Sequence, residues 1–152
     1  MAARVSHKDM LGGPMAIRYE WRPYLSNEIL GTVLNLDPRD KLSDYESVLE
    51  RSLTWIAAFD GERLTGFANV AWDGGVHAFL LDLTVHPDYR HRGIGTRIVK
   101  EALAATAEHP GLEWMHVDSA ATLMDKLYLP AGFSPTDAGL VWMQDVRDVG
   151  RP

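Results

Sequence analysis

A basic, glycine-containing loop between a predicted strand and a predicted helix is the segment of this sequence best suited to chemistry. It reads LTVHPDYRHRGIGTR from Leu83 to Arg97. A helix N-terminus leaves about four backbone N–H groups unpaired and carries partial positive charge, and glycines let a ligand approach the backbone closely. Between His86 and Lys100 there are four cations and one anion, although the whole chain has a net charge of −6. The pattern predicts a site for a polyphosphate group.

Two other phosphate-binding motifs do not fit this loop. A Walker A loop requires Gly-Lys-Ser/Thr, whereas this chain has Gly95-Thr96-Arg97. A dinucleotide-binding fingerprint requires a third glycine at the position that Ile98 occupies. On the residues alone, the remaining alternative is a structural glycine turn with solvated arginines.

Two segments resemble motifs of the GNAT N-acetyltransferase superfamily. Arg90–Gly95 resembles its R-x-x-G-x-G/A acyl-CoA loop, and the preceding Leu83–Pro87 and Tyr89 resemble its strand-to-loop approach. Further on, Leu127–Phe133 is similar to the family's F/L-Y-x-x-x-G-F segment. The close match covers residues 80–133, and the predicted element order extends it to residues 15–147.

The resemblance implies acetyl-CoA as the co-substrate. Backbone N–H groups around the loop would hold the CoA pyrophosphate, and the strand before the loop would offer backbone groups to the pantetheine arm. That strand is expected to separate from the next one, leaving a slot. The family often has an Asn that contacts CoA at the position of Ala121, and we expect Ser119 to replace that contact here. The expected cofactor-binding residues are Leu83, Thr84, Val85, Arg90, His91, Arg92, Gly93, Ile94, Gly95, Thr96 and Ser119.

The resemblance also implies two catalytic residues. Tyr128 stands where the family often places the acid that protonates the departing thiolate; its alternative is a packed aromatic whose hydroxyl finds a backbone partner. Asp82 is the candidate base that takes a proton from the acceptor amine. Relatives with an acid there often carry a second acid just before it, whereas this chain has Leu81. A purely structural carboxylate is the alternative for Asp82.

The acceptor pocket of the family is bordered by its two early helices and the loop between them. We expect Trp72, His116, Asp118 and Glu28 to bind substrate, and Trp21, Tyr24 and Tyr45 are further lining candidates. Large aromatics more often belong to a core, and a hydrogen-bonded, half-buried pair is the alternative for His116 and Asp118. The chain has no cysteine, and its histidines lack metal-ligand spacing. No metal is therefore expected.

The elements that must position these residues predict a mixed α/β GNAT fold: a mostly antiparallel sheet flanked by helices. The order is β-α-α-β-β-β-α-β-α-β-β. Ser26 and Ser43 are the expected N-caps of the first two helices, and Asp60-Gly61 and Asp73-Gly74-Gly75 are the expected turns. Apolar spacing predicts the remaining elements: strands at 17–21, 54–59, 64–72, 76–85, 112–117, 133–135 and 140–146, and helices at 94–106 and 121–129.

Length and composition predict the number of domains and the classes of partner. The 152 residues predict a single domain over residues 15–147, preceded by a flexible extension at 1–14. The net charge of −6 disfavours nucleic acid and anionic membranes as partners, and no apolar run approaches the roughly 18 residues of a membrane span. A cytoplasmic location and a homodimer, the latter from family habit alone, are expected.

These observations favour an acetyl-CoA-dependent N-acetyltransferase that acts by direct transfer on the primary amine of a small molecule. One alternative is a protein N-terminal or lysine acetyltransferase on the same fold. A second alternative belongs to another class, an acyl-CoA-binding sensor without catalysis.

Overall fold

The computed structural model of the protein describes residues 16–34 and 44–149. They belong to two compact units, one ending at Val117 and one beginning at Asp118. The predicted extension at 1–14 lies outside the described residues. No helix within the described ranges is long and apolar enough to cross a membrane.

The first unit contains a five-stranded sheet in the order β1-β2-β3-β4-β5. Neighbouring strands are antiparallel except β4 and β5, which are parallel. Parallel neighbours need a crossover connection, and helix α3 supplies it. The elements are β1 (Arg18–Trp21), α1 (Asn27–Leu34), α2 (Tyr45–Arg51), β2 (Thr54–Asp60), β3 (Arg63–Trp72), β4 (His77–Val85), a 3₁₀ turn (Pro87–Tyr89), α3 (Ile94–Ala107) and β5 (Trp114–Val117).

Neighbouring side chains of β3 point to opposite faces of the sheet, so each face packs against a different set of helices. Phe67 packs with residues of α1 and α2, among them Leu30 and Leu49. Gly66 faces α3, where a Cβ atom on it would meet Ile98. The apolar stripes of the helices thus cover the two faces of one sheet, and the predicted mixed α/β fold is confirmed.

Helix starts and hairpin turns follow local chemistry. The Ser26 hydroxyl accepts a hydrogen bond from the Ile29 N–H at 3.2 Å, as an N-cap does. Helix α2 is capped instead by Asp44, whose carboxylate accepts from the Ser47 N–H. The predicted cap Ser43 lies outside the described residues. Gly61 and Gly74 take positive φ angles in the two predicted turns.

The second unit begins with α4 (Ala121–Leu123), a π-helical turn (Met124–Tyr128) and a 3₁₀ turn (Leu129–Ala131), and it ends with α5 (Met143–Val149). The strands predicted at 133–135 and 140–146 are wrong, since residues 133–142 have no regular structure and 143–149 are helical. Met143, Val146 and Val149 recur every three residues, a spacing that suits a helix. The described part of this unit contains no strand with which an alternating segment could pair.

Candidate active site

The loop between β4 and α3 ends at a glycine, which has no side chain to cap the helix. Gly93 is the N-cap residue, with a φ of 81°, and among the described residues no side chain accepts from the first N–H groups of α3. The first turn contains no acidic residue. The backbone N–H groups of Ile94, Gly95 and Thr96 are therefore available to an anion. His91 also has a positive φ, 62°, which turns the loop toward the helix.

The two glycines of the loop border open space. Among residues 16–34 and 44–149, a Cβ atom on Gly93 would find no heavy atom within 4 Å, and a Cβ on Gly95 would meet only Val85 Cγ2, at 3.6 Å. A phosphate group could therefore approach this backbone closely, and the residues present fit the pyrophosphate of CoA.

Three arginines lie around the loop. The Arg90 Nε donates to the Val85 carbonyl at 3.2 Å. The guanidinium groups of Arg63 and Arg92 lie over the Tyr89 ring, with their carbon atoms 5.2 and 5.4 Å from its centroid. Arg63 was missed from the sequence because it lies on β3, 26 residues before Tyr89. The sequence signal that could have identified Arg63 is weak: it is the position of Arg63 next to the apolar residues of β3.

Tyr89 anchors this group of arginines. Its ring is buried, and its hydroxyl donates to Asp60 Oδ2 at 2.7 Å. The hydrogen bond to Asp60 is the main reason why the pKa of Tyr89 is raised. The loop therefore rests on a fixed aromatic ring, which keeps positive charge near the start of α3.

Strands β4 and β5 pair for only part of their length. Their parallel ladder runs from His77–Trp114 to Leu80–Val117. Strand β4 continues to Val85 and has no β5 partner beyond Leu80 among the described residues. This leaves a stretch of β4 at Leu83 and Thr84 where a ligand could bind the backbone, whereas the Val85 carbonyl already accepts from Arg90 Nε.

A β-bulge interrupts β4 at Asp82. In the register with β3, Leu81 pairs with Asn69 and Thr84 with Phe67, so Asp82 and Leu83 together face Ala68. Asp82 has a φ of 57°, which Asp tolerates better than most residues. The Thr84 hydroxyl donates to the Asp82 carbonyl at 3.1 Å and spans the bulge.

The side chain of Asp82 has a partner in the core. The Tyr45 hydroxyl donates to Asp82 Oδ2. The Tyr45 ring is only 6% exposed and packs edge-on against Phe67, with centroids 5.7 Å apart. Burial first, and then the hydrogen bond and charge of Asp82, raise the pKa of Tyr45. From the sequence, Tyr45 was only a lining candidate, because 37 residues separate the pair.

Tyr128 lies in the second unit. Its ring is buried and packs edge-on against Phe133, with centroids 5.4 Å apart. Burial raises the pKa of Tyr128 above its ordinary value. The hydroxyl consequently keeps its proton at neutral pH and can serve as a donor.

Two of the expected substrate-binding residues, Trp72 and His116, lie on different strands, β3 and β5. His116 on β5 has its Nε2 2.7 Å from His77 Nδ1, and its ring stacks on Phe79. Trp72 donates its indole N–H to the Gly75 carbonyl and closes the β3–β4 turn. This turn lies at the end of β4 opposite the glycine loop.

Three other expected site residues, Glu28, Asp118 and Ser119, lie on α1 and at the start of the second unit. Glu28 is exposed in the first turn of α1. Asp118 and Ser119 begin the second unit, where the Ser119 hydroxyl donates to the Ala120 carbonyl. Over residues 16–34 and 44–149, no three His, Cys, Asp or Glu side chains are grouped to hold a metal ion.

Known structures share this fold. A GNAT family acetyltransferase of Streptococcus pneumoniae superposes with a TM-score of 0.69 at 24% identity, covering 83% of this chain and 96% of that one. AAC(6′)-Iy, solved with the bisubstrate analogue CoA-S-monomethyl-acetylneamine, gives 0.65 at 20% identity, covering 83% and 96%. Glucosamine-6-phosphate N-acetyltransferase of Arabidopsis thaliana gives 0.63 at 11% identity, covering 82% and 97%.

Sequence comparison assigns the family. A mycothiol acetyltransferase of Nocardia farcinica is 42% identical over 66 residues, which is 43% of this chain. The chain covers only 21% of the length of that curated relative. The model of the acetyltransferase (GNAT) family matches residues 16–133. The chain therefore belongs to the GNAT family of acetyltransferases.

Proposed function

We propose that this protein transfers an acetyl group from acetyl-CoA to the primary amine of a small molecule by direct transfer. The proposal is carried by the start of α3, where no described side chain caps the helix and Gly93 and Gly95 border space that no described residue fills. Beside it, the end of β4 has no partner strand on the β5 side within the described part of the chain. The N-terminus would hold the pyrophosphate, and Leu83–Val85 would hold the pantetheine arm. When bound, acetyl-CoA supplies the activated acetyl thioester.

The choice of a small acceptor has separate support. The matching relative is named for mycothiol, and one structural neighbour is named for glucosamine 6-phosphate. Both names contain a small molecule, and we propose a small-molecule acceptor for this chain as well. The cytoplasmic location and the homodimer expected from the sequence stay predictions.

The acceptor amine must be deprotonated before it can react. A lysine-like amine has a pKa of about 10.4, so its neutral form at pH 7 costs roughly 4.6 kcal/mol. We assign removal of this proton to Asp82, whose carboxylate is exposed at the β4 bulge. The free electron pair of the nitrogen then forms the C–N bond as the thioester C–S bond breaks.

The departing sulfur needs a proton, which we assign to Tyr128. Its raised pKa keeps the hydroxyl protonated at neutral pH. The nitrogen loses two protons in all, the first through Asp82 and both finally to solvent, while solvent restores the proton that Tyr128 donates to the sulfur. Atoms and charge then balance, with the amide and the free CoA thiol as products.

A substrate screen tests the proposal. The protein is incubated with acetyl-CoA and a panel of small amines and peptides, with thiol release and product mass as readouts. We expect acetylated small amines. Preferred turnover of peptide N-termini or lysines would favour a protein acetyltransferase. Binding of acetyl-CoA without any turnover would favour a sensor, and no binding would overturn the cofactor assignment.

A further inference from the structure

The contact between Tyr45 and Asp82 joins the core to an exposed carboxylate. Asp82 is exposed at the bulge of β4, whereas Tyr45 is buried and held by Phe67. The hydroxyl donates to Oδ2 of the carboxylate. Within the described part of the chain, no donor is bound to Oδ1. One oxygen is therefore fixed by the core and the other is left for a ligand.

The bulge further restricts this carboxylate. It puts Asp82 in the left-handed region, which sets the direction of its Cα–Cβ bond. A freely rotating surface carboxylate would need neither this backbone conformation nor the hydrogen bond from Tyr45. The arrangement resembles the buried support that active sites give to a catalytic group.

We propose that Tyr45 is a positioning residue that holds the Asp82 carboxylate with Oδ1 directed to the acceptor ammonium. The inference rests on the proposed function, because it assumes that Asp82 receives a proton from an amine. Tyr45 itself exchanges no proton in the reaction. Its phenol donates one hydrogen bond to Oδ2 throughout, so the side chain acts only through Asp82.

A double-mutant cycle tests this role with Tyr45→Phe, Asp82→Asn and the combined variant. We expect Tyr45→Phe to lower kcat/KM by roughly 10- to 100-fold, the effect of losing one hydrogen bond to a charged group. In the Asp82→Asn background, the same change should have almost no further effect. Equal losses in both backgrounds would overturn the inference and assign Tyr45 to packing of α2.

Tyr19→Phe serves as the matched control. Tyr19 is a half-buried tyrosine of β1 whose ring contacts Arg97, and it is outside the proposed site. Removal of the Tyr19 hydroxyl should leave kcat/KM unchanged. Thermal unfolding of every variant checks that a loss of activity is not a loss of folded protein.

A measurement without turnover separates the failure of this inference from the failure of the proposed function. In tyrosine-labelled protein, the ring-carbon NMR signal of Tyr45 is identified by its absence in Tyr45→Phe. It should move in Asp82→Asn, because the charge of its partner is removed. An unmoved signal overturns the pairing whatever the activity. If the signal moves but the parent acetylates no amine, the proposed function fails and the contact is structural only, which also overturns the positioning role.

Discussion

Gly66 of β3 lies directly against Ile98 of α3. A Cβ atom on Gly66 would be 2.7 Å from Ile98 Cδ1, 3.2 Å from Ile94 Cγ2 and 3.4 Å from the Thr84 carbonyl oxygen. Because Gly66 has no side chain, the first turns of α3 pack directly against the backbone of β3. This close approach holds the N-terminus of α3 beside β4, where the proposed cofactor site needs it.

Gly66→Ala should destabilise the protein because the added methyl group forces Ile98 out of its buried position. We expect the free energy of unfolding to fall by about 1–3 kcal/mol, as for other overpacked cores. Ile98→Val, which removes Cδ1, should recover part of that loss in the double variant. Denaturant unfolding measures both effects. A Gly66→Ala protein as stable as its parent would contradict the close packing.

Gly95→Leu should abolish acetyl-CoA binding and leave the fold intact. The side chain would occupy the space of the phosphate, whereas its Cβ would meet only Val85 at an ordinary distance. We expect affinity to fall by at least about 100-fold in calorimetric titration. Gly111→Leu is the control, since a Cβ there meets nothing within 4 Å. Unchanged affinity in the Gly95 variant would refute the loop assignment.

A substitution at Gly93 should behave differently. Its φ of 81° strains any residue with a side chain, so Gly93→Leu should also lower the free energy of unfolding by about 1–2 kcal/mol. Thermal unfolding of the two glycine variants in parallel distinguishes blocked space at Gly95 from backbone strain at Gly93. Equal stability of both variants would argue against the left-handed conformation at Gly93.

Tyr128→Phe should lower kcat by roughly 10²–10⁴-fold with little change in acetyl-CoA affinity, if the hydroxyl protonates the thiolate. The ring contact with Phe133 is kept. Because burial raises the pKa of Tyr128, the hydroxyl stays protonated up to at least about pH 10. The parent should therefore show no alkaline loss of kcat from this group below that pH. A kcat within about twofold of the parent would assign Tyr128 to packing.

Asp82→Asn should lose activity near neutral pH and recover part of it at about pH 9, where more of a lysine-like acceptor is already neutral. Asn tolerates the positive φ at this position, so the bulge should persist. The measurement is kcat/KM against pH for parent and variant. An acceptor of lower pKa is the control and should be less sensitive. Parallel profiles offset by a constant factor would mean that Asp82 only positions the substrate, and His116 would be tested next.

Glu101 ties β1 to α3 and should make stability depend on acid pH. It accepts from Arg97 Nε at 2.7 Å and from Trp21 Nε1 at 2.8 Å. The Arg97 hydrogen bond, followed by the Trp21 bond, lowers the pKa of Glu101. A lowered folded pKa means that this stabilisation is present above the unfolded value and is lost as pH falls through the folded value.

Glu101→Gln should accordingly lower the free energy of unfolding by about 1 kcal/mol at neutral pH. The difference should diminish as the pH falls through the lowered pKa of the parent carboxyl, because that group is then protonated as well. Denaturant unfolding at a series of pH values measures this. A difference that stays constant into acid would show that the charge of Glu101 is not responsible.

The glycine loop and the start of α3 could be predicted because consecutive residues determine this local structure. Gly93, Gly95 and their arginines lie within one turn of chain, and a strand that runs into a helix brings backbone N–H groups to that point whatever the rest of the fold does. The five sheet strands were likewise predictable, since each contains a local run or alternation of apolar residues. The two terminal strands were not, because a strand also needs a neighbour to pair with.

The sequence by itself therefore determined the family, the mixed α/β class and the position of the glycine loop between β4 and α3. The tertiary structure decided which side chains meet across long separations: Tyr45 with Asp82, Arg63 with Tyr89 and Gly66 with Ile98. It also decided that the Trp72 indole N–H donates to Gly75 in the β3–β4 turn. The physical reason is that periodicity reports which face of an element is buried, whereas a partner on another element is set only when strand register and helix packing bring the two together.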